Sequence, residues 1–222
     1  MNPRPLLLGH RGARAVRGLR ENTIESFDQA LADGCDGFEF DVRRTADGEA
    51  VIWHDPESGG KLIEEVSADQ LPELARLADV LARYQDSAFL DIELKVAGLE
   101  KITSSLLRSC RIEKGFVLSS FLPDVLTALH AENANLPLGL ICESGPELNR
   151  WRSLPIQYVI PRHDYLTKLL AEELRSAGKK ILVWTVNRAD HMRRCWTLGV
   201  DGIISDDTSL LCRTISRISE NP

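Results

Sequence analysis

The sequence predicts an α/β barrel of parallel strands, and three observations point to it. The chain has 222 residues, which suits one barrel and is long for a small sandwich or bundle. Short apolar runs alternate with longer stretches of helical period, the pattern of βα units and a parallel sheet. Charged residues recur two apart within some of those runs, so that they share one face of a strand.

Taken in order, strands are expected at Leu6 to His10, Gly37 to Val42, Ala50 to His54, Ala88 to Lys95, Gly115 to Ser119, Leu138 to Cys142, Tyr158 to Pro161, Ile181 to Val186 and Gly202 to Ser205. Helices are expected between most of them, at Thr23 to Asp33, Glu73 to Tyr84, Leu99 to Ser109, Pro123 to Ala131, Thr167 to Ala177 and Ala189 to Thr197. Asn22, with Glu25 three residues on, reads as a capping-box-like start, and Gly34 and Gly178 sit where helices end in a left-handed residue. Nine strand candidates compete for the eight places of a closed barrel, so at least one lies outside it. The stretch from Val42 to Glu49 is too short for a crossover helix. It can run back as extended chain if Glu39 and His54 belong to the same end of the barrel.

Composition narrows the function. An apolar fraction of 43% and a charged fraction of 27% are those of a chain that buries a full core. A net charge of -6 argues against general binding of nucleic acid or anionic membranes, both of which need a basic surface. Five cysteines, odd in number and without a CxxC pair, suggest neither a disulfide frame nor a zinc site. The apolar run before Gly9 is too short for a signal-peptide core, and no segment approaches the roughly 20 apolar residues of a membrane span. A cytoplasmic protein without stable membrane insertion is expected. One domain covers residues 1–222, with an ordinary frayed end at Ser219 to Pro222.

Strand alternation turns scattered charges into a candidate site. Glu39 and Asp41 share a face, as do Asp91, Glu93 and Lys95 in a segment otherwise made of Phe89, Leu90, Ile92 and Leu94. Charges facing a barrel interior are costly unless they bind a metal or one another, and in barrel enzymes they gather at the C-terminal strand ends. His10, Glu39, Asp41, His54, Glu93 and Lys95 are all expected at that end. Glu39 and Asp41 alone would also fit an exposed edge or an ion pair with Arg43 or Arg44, but six such residues at strand ends leave that reading little room. Three carboxylates without a soft ligand suit a hard divalent ion, Mg²⁺ or Ca²⁺. Arg11 and Lys95 would take phosphate oxygens, and two histidines beside such a centre can act as acid and base. His130, His163 and His191 lack such partners and are set aside. Asp55 would point away from His54 if the strand continued, so no orienting role is assumed for it.

His10-Arg11-Gly12, Glu21-Asn22-Thr23, Glu39-Phe40-Asp41, His54-Asp55, Glu93-Leu94-Lys95, Ser119-Ser120-Phe121, Trp184-Thr185-Val186-Asn187 and Gly199 through Asp206 stand in a telling order. From residue 9 to about residue 208, the chain resembles the glycerophosphodiester phosphodiesterase family. The resemblance implies a distorted TIM (β/α)8 barrel of the PLC-like phosphodiesterase type, cleaving glycerophosphodiesters to glycerol 3-phosphate and an alcohol. It also implies Glu39, Asp41 and Glu93 as metal ligands, His10 and His54 as the acid/base pair, and Arg11 and Lys95 as phosphate-binding residues. Trp184 matches an aromatic near the substrate, and a large core residue is the other reading of it. Glu21-Asn22-Thr23 is expected to be mainly structural.

The chain departs from the family after His54-Asp55. Pro56-Glu57-Ser58-Gly59-Gly60-Lys61 replaces the usual continuation, and residues 55–72 are expected to be a reduced insertion, mostly loop. An open site could accept bulkier diesters, and Lys61 could replace a missing contact, although a solvated loop lysine is the plainer reading. Two further hypotheses therefore stand beside glycerophosphodiester hydrolysis: a lysophospholipase D or sphingomyelinase D-like lipid phosphodiesterase, and a non-catalytic module that binds phospho-ligands. The oligomeric state, the alcohol headgroup, the nucleophile and the order of the two histidines stay open.

Overall fold

A computed structural model describes residues 3–220 of the chain. Its strands are β1 (Leu6–His10), β2 (Gly37–Arg44), β3 (Ala50–Ile52), β4 (Glu57–Ser58), β5 (Lys61–Leu62), β6 (Phe89–Leu94), β7 (Phe116–Ser120), β8 (Leu138–Cys142), β9 (Tyr158–Pro161), β10 (Lys180–Val183) and β11 (Gly202–Ser205). Eight of them run parallel in the order β1-β11-β10-β9-β8-β7-β6-β2, and β2 pairs again with β1, closing a TIM-type barrel.

The supernumerary ninth candidate is β3. It pairs antiparallel with β2, Val42 opposite Ile52 and Arg44 opposite Ala50, so the chain rises past the barrel rim and returns as extended backbone. The turn is held by Gly48 N–H on the Thr45 carbonyl (3.0 Å), and the return ends with Trp53 N–H on the Asp41 carbonyl (3.0 Å). His54 is thereby delivered to the mouth where Glu39 and Asp41 lie.

The helices are α1 (Ile24–Ala32), α2 (Leu77–Tyr84), α3 (Glu100–Ser109), α4 (Pro123–Glu132), α5 (Gly145–Leu148), α6 (Lys168–Ser176), α7 (Ala189–Leu198) and α8 (Thr208–Glu220). Three expectations need correction. The cap of α1 is Thr23, whose hydroxyl accepts from Ser26 N–H while Ser26 returns the bond; Asn22, at φ 58°, stands outside the helix. The helix expected from Glu73 begins at Leu77, because Ala75 and Arg76 first bond to the edge of β3. The tail is helical as far as Glu220, while Asn221 and Pro222 lie outside the described residues.

Alternation along the strands divides the core in two. Outward residues meet the helices, as where Phe27 of α1 stacks on Phe38 of β2 at 4.2 Å and Tyr84 of α2 meets Phe38 edge-on. Inward residues Leu8, Val117, Tyr158, Ile160, Leu182 and Ile204 fill the barrel, which is a packed interior and not a pore. Gly37 is required at its inward position, since a Cβ there would lie 1.8 Å from the Phe89 carbonyl oxygen.

Residues 55–72 are more structured than a loop. The hairpin of β4 and β5 leads into two 3₁₀ turns, Ile63–Glu65 and Ala68–Gln70. Ile63, Ala68, Leu71 and Leu74 pack under this segment against Val51 of β3 in a core of their own.

Candidate active site

Register explains why the charged residues meet. In the parallel ladder His10 lies opposite Glu39 and Glu39 opposite Asp91; one step higher, Asp41 lies opposite Glu93 and Glu93 opposite Ser119. Two inward-facing rows are thus stacked at the mouth. Glu39 was expected at the C-terminal end of its strand but is its third residue, because β2 runs on to Arg44. It is level with the last residue of β1.

Glu39, Asp41 and Glu93 each offer a carboxylate oxygen, and these oxygens lie within 4.8 Å of one another. All three side chains are buried. Burial, with the charges of Asp41 and Glu93, pushes Glu39 well above the usual carboxylate range. Burial and Asp41 push Glu93 up to about 8, and burial pushes Asp91 up to about 7 although Ser119 donates to it at 2.5 Å. Asp41 goes the other way: burial would raise it, but Lys95, Arg11 and Asn22 outweigh burial.

Arg11 and Lys95 supply the positive charge. Lys95, the first residue after β6, places Nζ 2.7 Å from Glu93 Oε1 and 3.3 Å from Asp41 Oδ1. Arg11 sits at φ 52° in the sharp turn after β1. Its N–H donates to Glu39 Oε2 (3.0 Å), its Nη1 meets Glu21 Oε1 (2.7 Å) and its Nε meets Asp41 Oδ2 (3.0 Å). Asn22 donates Nδ2–H to Asp41 Oδ2 (2.8 Å) and accepts Asp41 N–H (3.2 Å). The Glu21-Asn22-Thr23 segment, expected to be mainly structural, therefore clamps two residues of the site as well as capping α1.

Each histidine at the mouth is held at Nδ1 by a carboxylate. His10 Nδ1 lies 2.7 Å from Asp206 Oδ1, and its Nε2 lies 3.9 Å from Glu39 Oε2. Asp206 also accepts from Asn187 Nδ2 (2.6 Å) and pairs with Arg14. These partners outweigh burial and hold Asp206 down at about 2. His54 Nδ1 lies 2.7 Å from Asp55 Oδ1. Asp55 would point away only in a continued strand; β3 ends at Ile52, so alternation does not apply to residues 54 and 55 and Asp55 can orient the ring. Arg43 Nε–H fixes the His54 carbonyl at 2.7 Å, and burial lowers the His54 pKa against the pull of Asp41 and Asp55. Asp206 and Asn187 carried no role in the sequence reading; their place in motifs shared with a known family was the signal available.

These groups face a cavity of about 330 Å³. His10, Arg11, Glu39, His54, Glu93 and Lys95 line one side, over buried Asp41. Phe121, Ile141, Ile160, Trp184 and Ile204 give the lining its apolar part, Phe121 with Lys95 Nζ 5.7 Å from its ring centroid, and exposed Glu143 completes it. Trp184 lies beyond the end of β10, donating Nε1–H to the Ile160 carbonyl (3.0 Å) and meeting Phe121 at 84°. His130, His163, His191 and Lys61 do not line this cavity; His163 and His191 pack on each other at 4.8 Å, and Lys61 reaches the Gln70 carbonyl at 3.5 Å.

The donor set fits a hard divalent cation. Glu39 Oε1 is buried without a hydrogen-bond partner, and the buried carboxyls Glu39, Asp41, Asp91 and Glu93 face two cations, Arg11 and Lys95. Oxygen ligands with excess negative charge are what Mg²⁺ and Ca²⁺ require. A pH dependence follows. Carboxyls whose folded pKa is raised bind more protons in the folded than in the unfolded state, so stability falls as pH rises from the unfolded values near 4 toward the folded ones. Metal-free protein should lose stability between about pH 5 and about pH 8, through the range set by Asp91 and Glu93 at about 7 and about 8. Mg²⁺ should raise the melting temperature more at the upper end and release protons on binding. Thermal melts with and without EDTA check this; equal metal stabilisation at both ends would contradict it.

Residues 10–210 match the model of the Glycerophosphoryl diester phosphodiesterase family. A glycerophosphodiester phosphodiesterase of Caldanaerobacter subterraneus is 27% identical over 244 residues, spanning 96% of this chain and 98% of the relative. The crystal structure of a glycerophosphodiester phosphodiesterase from Parabacteroides distasonis has a TM-score of 0.86 at 22% identity, covering 98% of this chain and 100% of that one. An Oleispira antarctica phosphodiesterase, solved with the product sn-glycerol-3-phosphate, has a TM-score of 0.83 at 22% identity, covering 96% and 97%. These two structures establish likeness of fold.

Proposed function

Since the chain belongs to the Glycerophosphoryl diester phosphodiesterase family, we propose that it hydrolyses glycerophosphodiesters to sn-glycerol 3-phosphate and an alcohol, with a divalent metal and a histidine acid/base pair. The observation that carries this reading is the cluster of Glu39, Asp41 and Glu93 beside two histidines that are each held at Nδ1 by an aspartate.

The geometry supports the following roles. Glu39, Asp41 and Glu93 would hold Mg²⁺ or Ca²⁺, which supplies positive charge to offset the charge building on the phosphoryl oxygens. Arg11 and Lys95 bind the remaining phosphate oxygens. His54, its pKa lowered by burial, starts neutral; with Asp55 at Nδ1 its Nε2 takes the proton from the attacking hydroxyl. That hydroxyl belongs to water, which gives sn-glycerol 3-phosphate in one step, or to the glycerol of the substrate, in which case a cyclic phosphate forms as the alcohol leaves and water opens it in a second step. Asp206 stays ionised and compensates an imidazolium at His10, whose Nε2 gives its proton to the departing alkoxide. Trp184 packs against the carbon skeleton.

An intracellular, cytoplasmic setting is supported by the odd number of unpaired cysteines. Among the described residues no helix is long and apolar enough to cross a membrane.

Incubation of the protein with glycerophosphodiesters and Mg²⁺ should release sn-glycerol 3-phosphate, read by a coupled dehydrogenase. Release of the alcohol phosphate instead would place the cut on the wrong P–O bond for this assignment of acid and base.

A further inference from the structure

Two of the five cysteines meet across almost the whole chain. Cys35 lies in the turn between α1 and β2 and Cys212 lies in α8, 177 positions away, yet their sulfurs are 3.7 Å apart. The junction that holds them is fixed from both sides. Cys35 N–H is bonded to the Ala30 carbonyl at 3.1 Å, and Asp33 accepts from the hydroxyl of Thr208, the first residue of α8. Gly34, at φ 101°, brings the backbone of the turn so close to α8 that a Cβ on it would lie 3.7 Å from Cys212 Sγ and 3.9 Å from Cys212 Cβ. Cys35 is 8% and Cys212 9% exposed, beside exposed Gly34, so the pair sits at the margin of the core, within reach of a small solute.

The two thiols are not equivalent. With Cys35 as donor, the bond between them holds Cys212 below the usual thiol range although burial opposes it; the same bond, with burial, pushes Cys35 up. The thiolate is the form that attacks an oxidant, so Cys212 is the nucleophile and Cys35 the thiol that resolves it. The remaining cysteines lack such a partner: no other pair of cysteine sulfurs shares a hydrogen bond among the described residues. Burial pushes Cys142 up to about 12 and Cys195 up to about 11, and Cys142 donates its S–H to the Leu140 carbonyl.

We propose that Cys35 and Cys212 are a peroxide-sensitive thiol pair, which oxidation converts into a reversible disulfide that staples α8 to the turn before β2. The Cys212 thiolate attacks hydrogen peroxide; an S–O bond forms, the O–O bond breaks, and the departing hydroxide takes up a proton as water. The Cys35 sulfur then attacks the sulfenic acid at Cys212; the S–S bond forms, the S–O bond breaks, and the hydroxyl leaves as a second water with the Cys35 proton. Two thiols thus lose two electrons, and one peroxide gains them. The sulfurs have to close from 3.7 Å to about 2.0 Å. Neither cysteine lines the cavity at the barrel mouth, so the staple acts on stability and leaves the chemistry of that site alone. It closes a loop that spans 177 positions, and long loops are those whose closure constrains the unfolded chain most.

The test treats the folded, fully reduced protein with a small excess of hydrogen peroxide, blocks the remaining thiols, digests without reductant and maps the peptides by mass spectrometry. The peptides of Cys35 and Cys212 should appear joined, lighter than their sum by two hydrogens. The melting temperature of the oxidised protein should rise by roughly 5 °C or more and return on treatment with a phosphine reductant. Cys212→Ser and Cys35→Ser should each lose both the link and the rise; each variant lacks one end of the bond, so either one that folds suffices. Free thiols at both positions after peroxide treatment overturn the proposal, and so does conversion of Cys212 to its sulfinic acid without a link to Cys35. These readouts do not involve hydrolysis, so their outcome is independent of the phosphodiesterase reading.

Discussion

His54→Ala is expected to lower kcat by about two to four orders of magnitude, the usual contribution of a positioned acid or base. The loss should fall on turnover alone. The ring is about a third exposed and lies outside the core, so its removal opens no large cavity. It is not one of the carboxylates that would hold the ion, so metal affinity should stay within a few-fold by calorimetric titration. Asp55→Ala frees the ring at Nδ1 and should cost less, roughly tenfold, because the base survives while its orientation is lost. On the other side of the cavity, His10→Ala should match His54→Ala. Unchanged hydrolysis in His54→Ala would remove it from the acid/base pair and leave the fold and carboxylate cluster as they are.

Glu39→Gln should abolish activity while leaving the metal-free protein as stable or more stable. The carboxyl is buried beside Asp41 and Glu93, and that repulsion with desolvation is what drives its pKa upward. A neutral amide of the same shape removes both costs and keeps an oxygen to accept Arg11 N–H, which the wild type bonds at 3.0 Å. Metal affinity should fall by at least the 10–100-fold that loss of an outer-shell partner typically brings, since a ligand itself is lost. The pairing of a stability gain with loss of function is what a site strained for its chemistry predicts. A variant that binds Mg²⁺ as tightly as the wild type would show that Glu39 is not a ligand.

Much of this site was readable because a strand has period two. Glu39 with Asp41, and Asp91 with Glu93, stood out as charges in apolar runs, and the fold only had to bring β2 and β6 side by side in register. His54 reaches the cavity because the stretch after Val42 leaves no room for a helix and runs back as extended chain, although its strand ends at Ile52, two residues short of the expected end. The misses occur where periodicity stops. Asp55 reaches His54 because the strand has already ended, and Asn22 reaches Asp41 from a left-handed turn that no pattern announces. Asp206 and His10 are 196 positions apart and meet only because closing the barrel sets β11 against β1. Helix α8 could have been found: Leu211 and Ile215 are buried four residues apart, the spacing of one helical face. No strand follows it, so it stands outside the alternation of strand and helix.

The most direct test of the whole account is hydrolysis of a glycerophosphodiester by protein stripped with EDTA and verified free of metal by elemental analysis. The stripped protein should release no sn-glycerol 3-phosphate, and addition of Mg²⁺ or Ca²⁺ should restore release. Full activity in the verified metal-free protein would contradict the assignment of Glu39, Asp41 and Glu93 as a metal site and with it the mechanism built upon them.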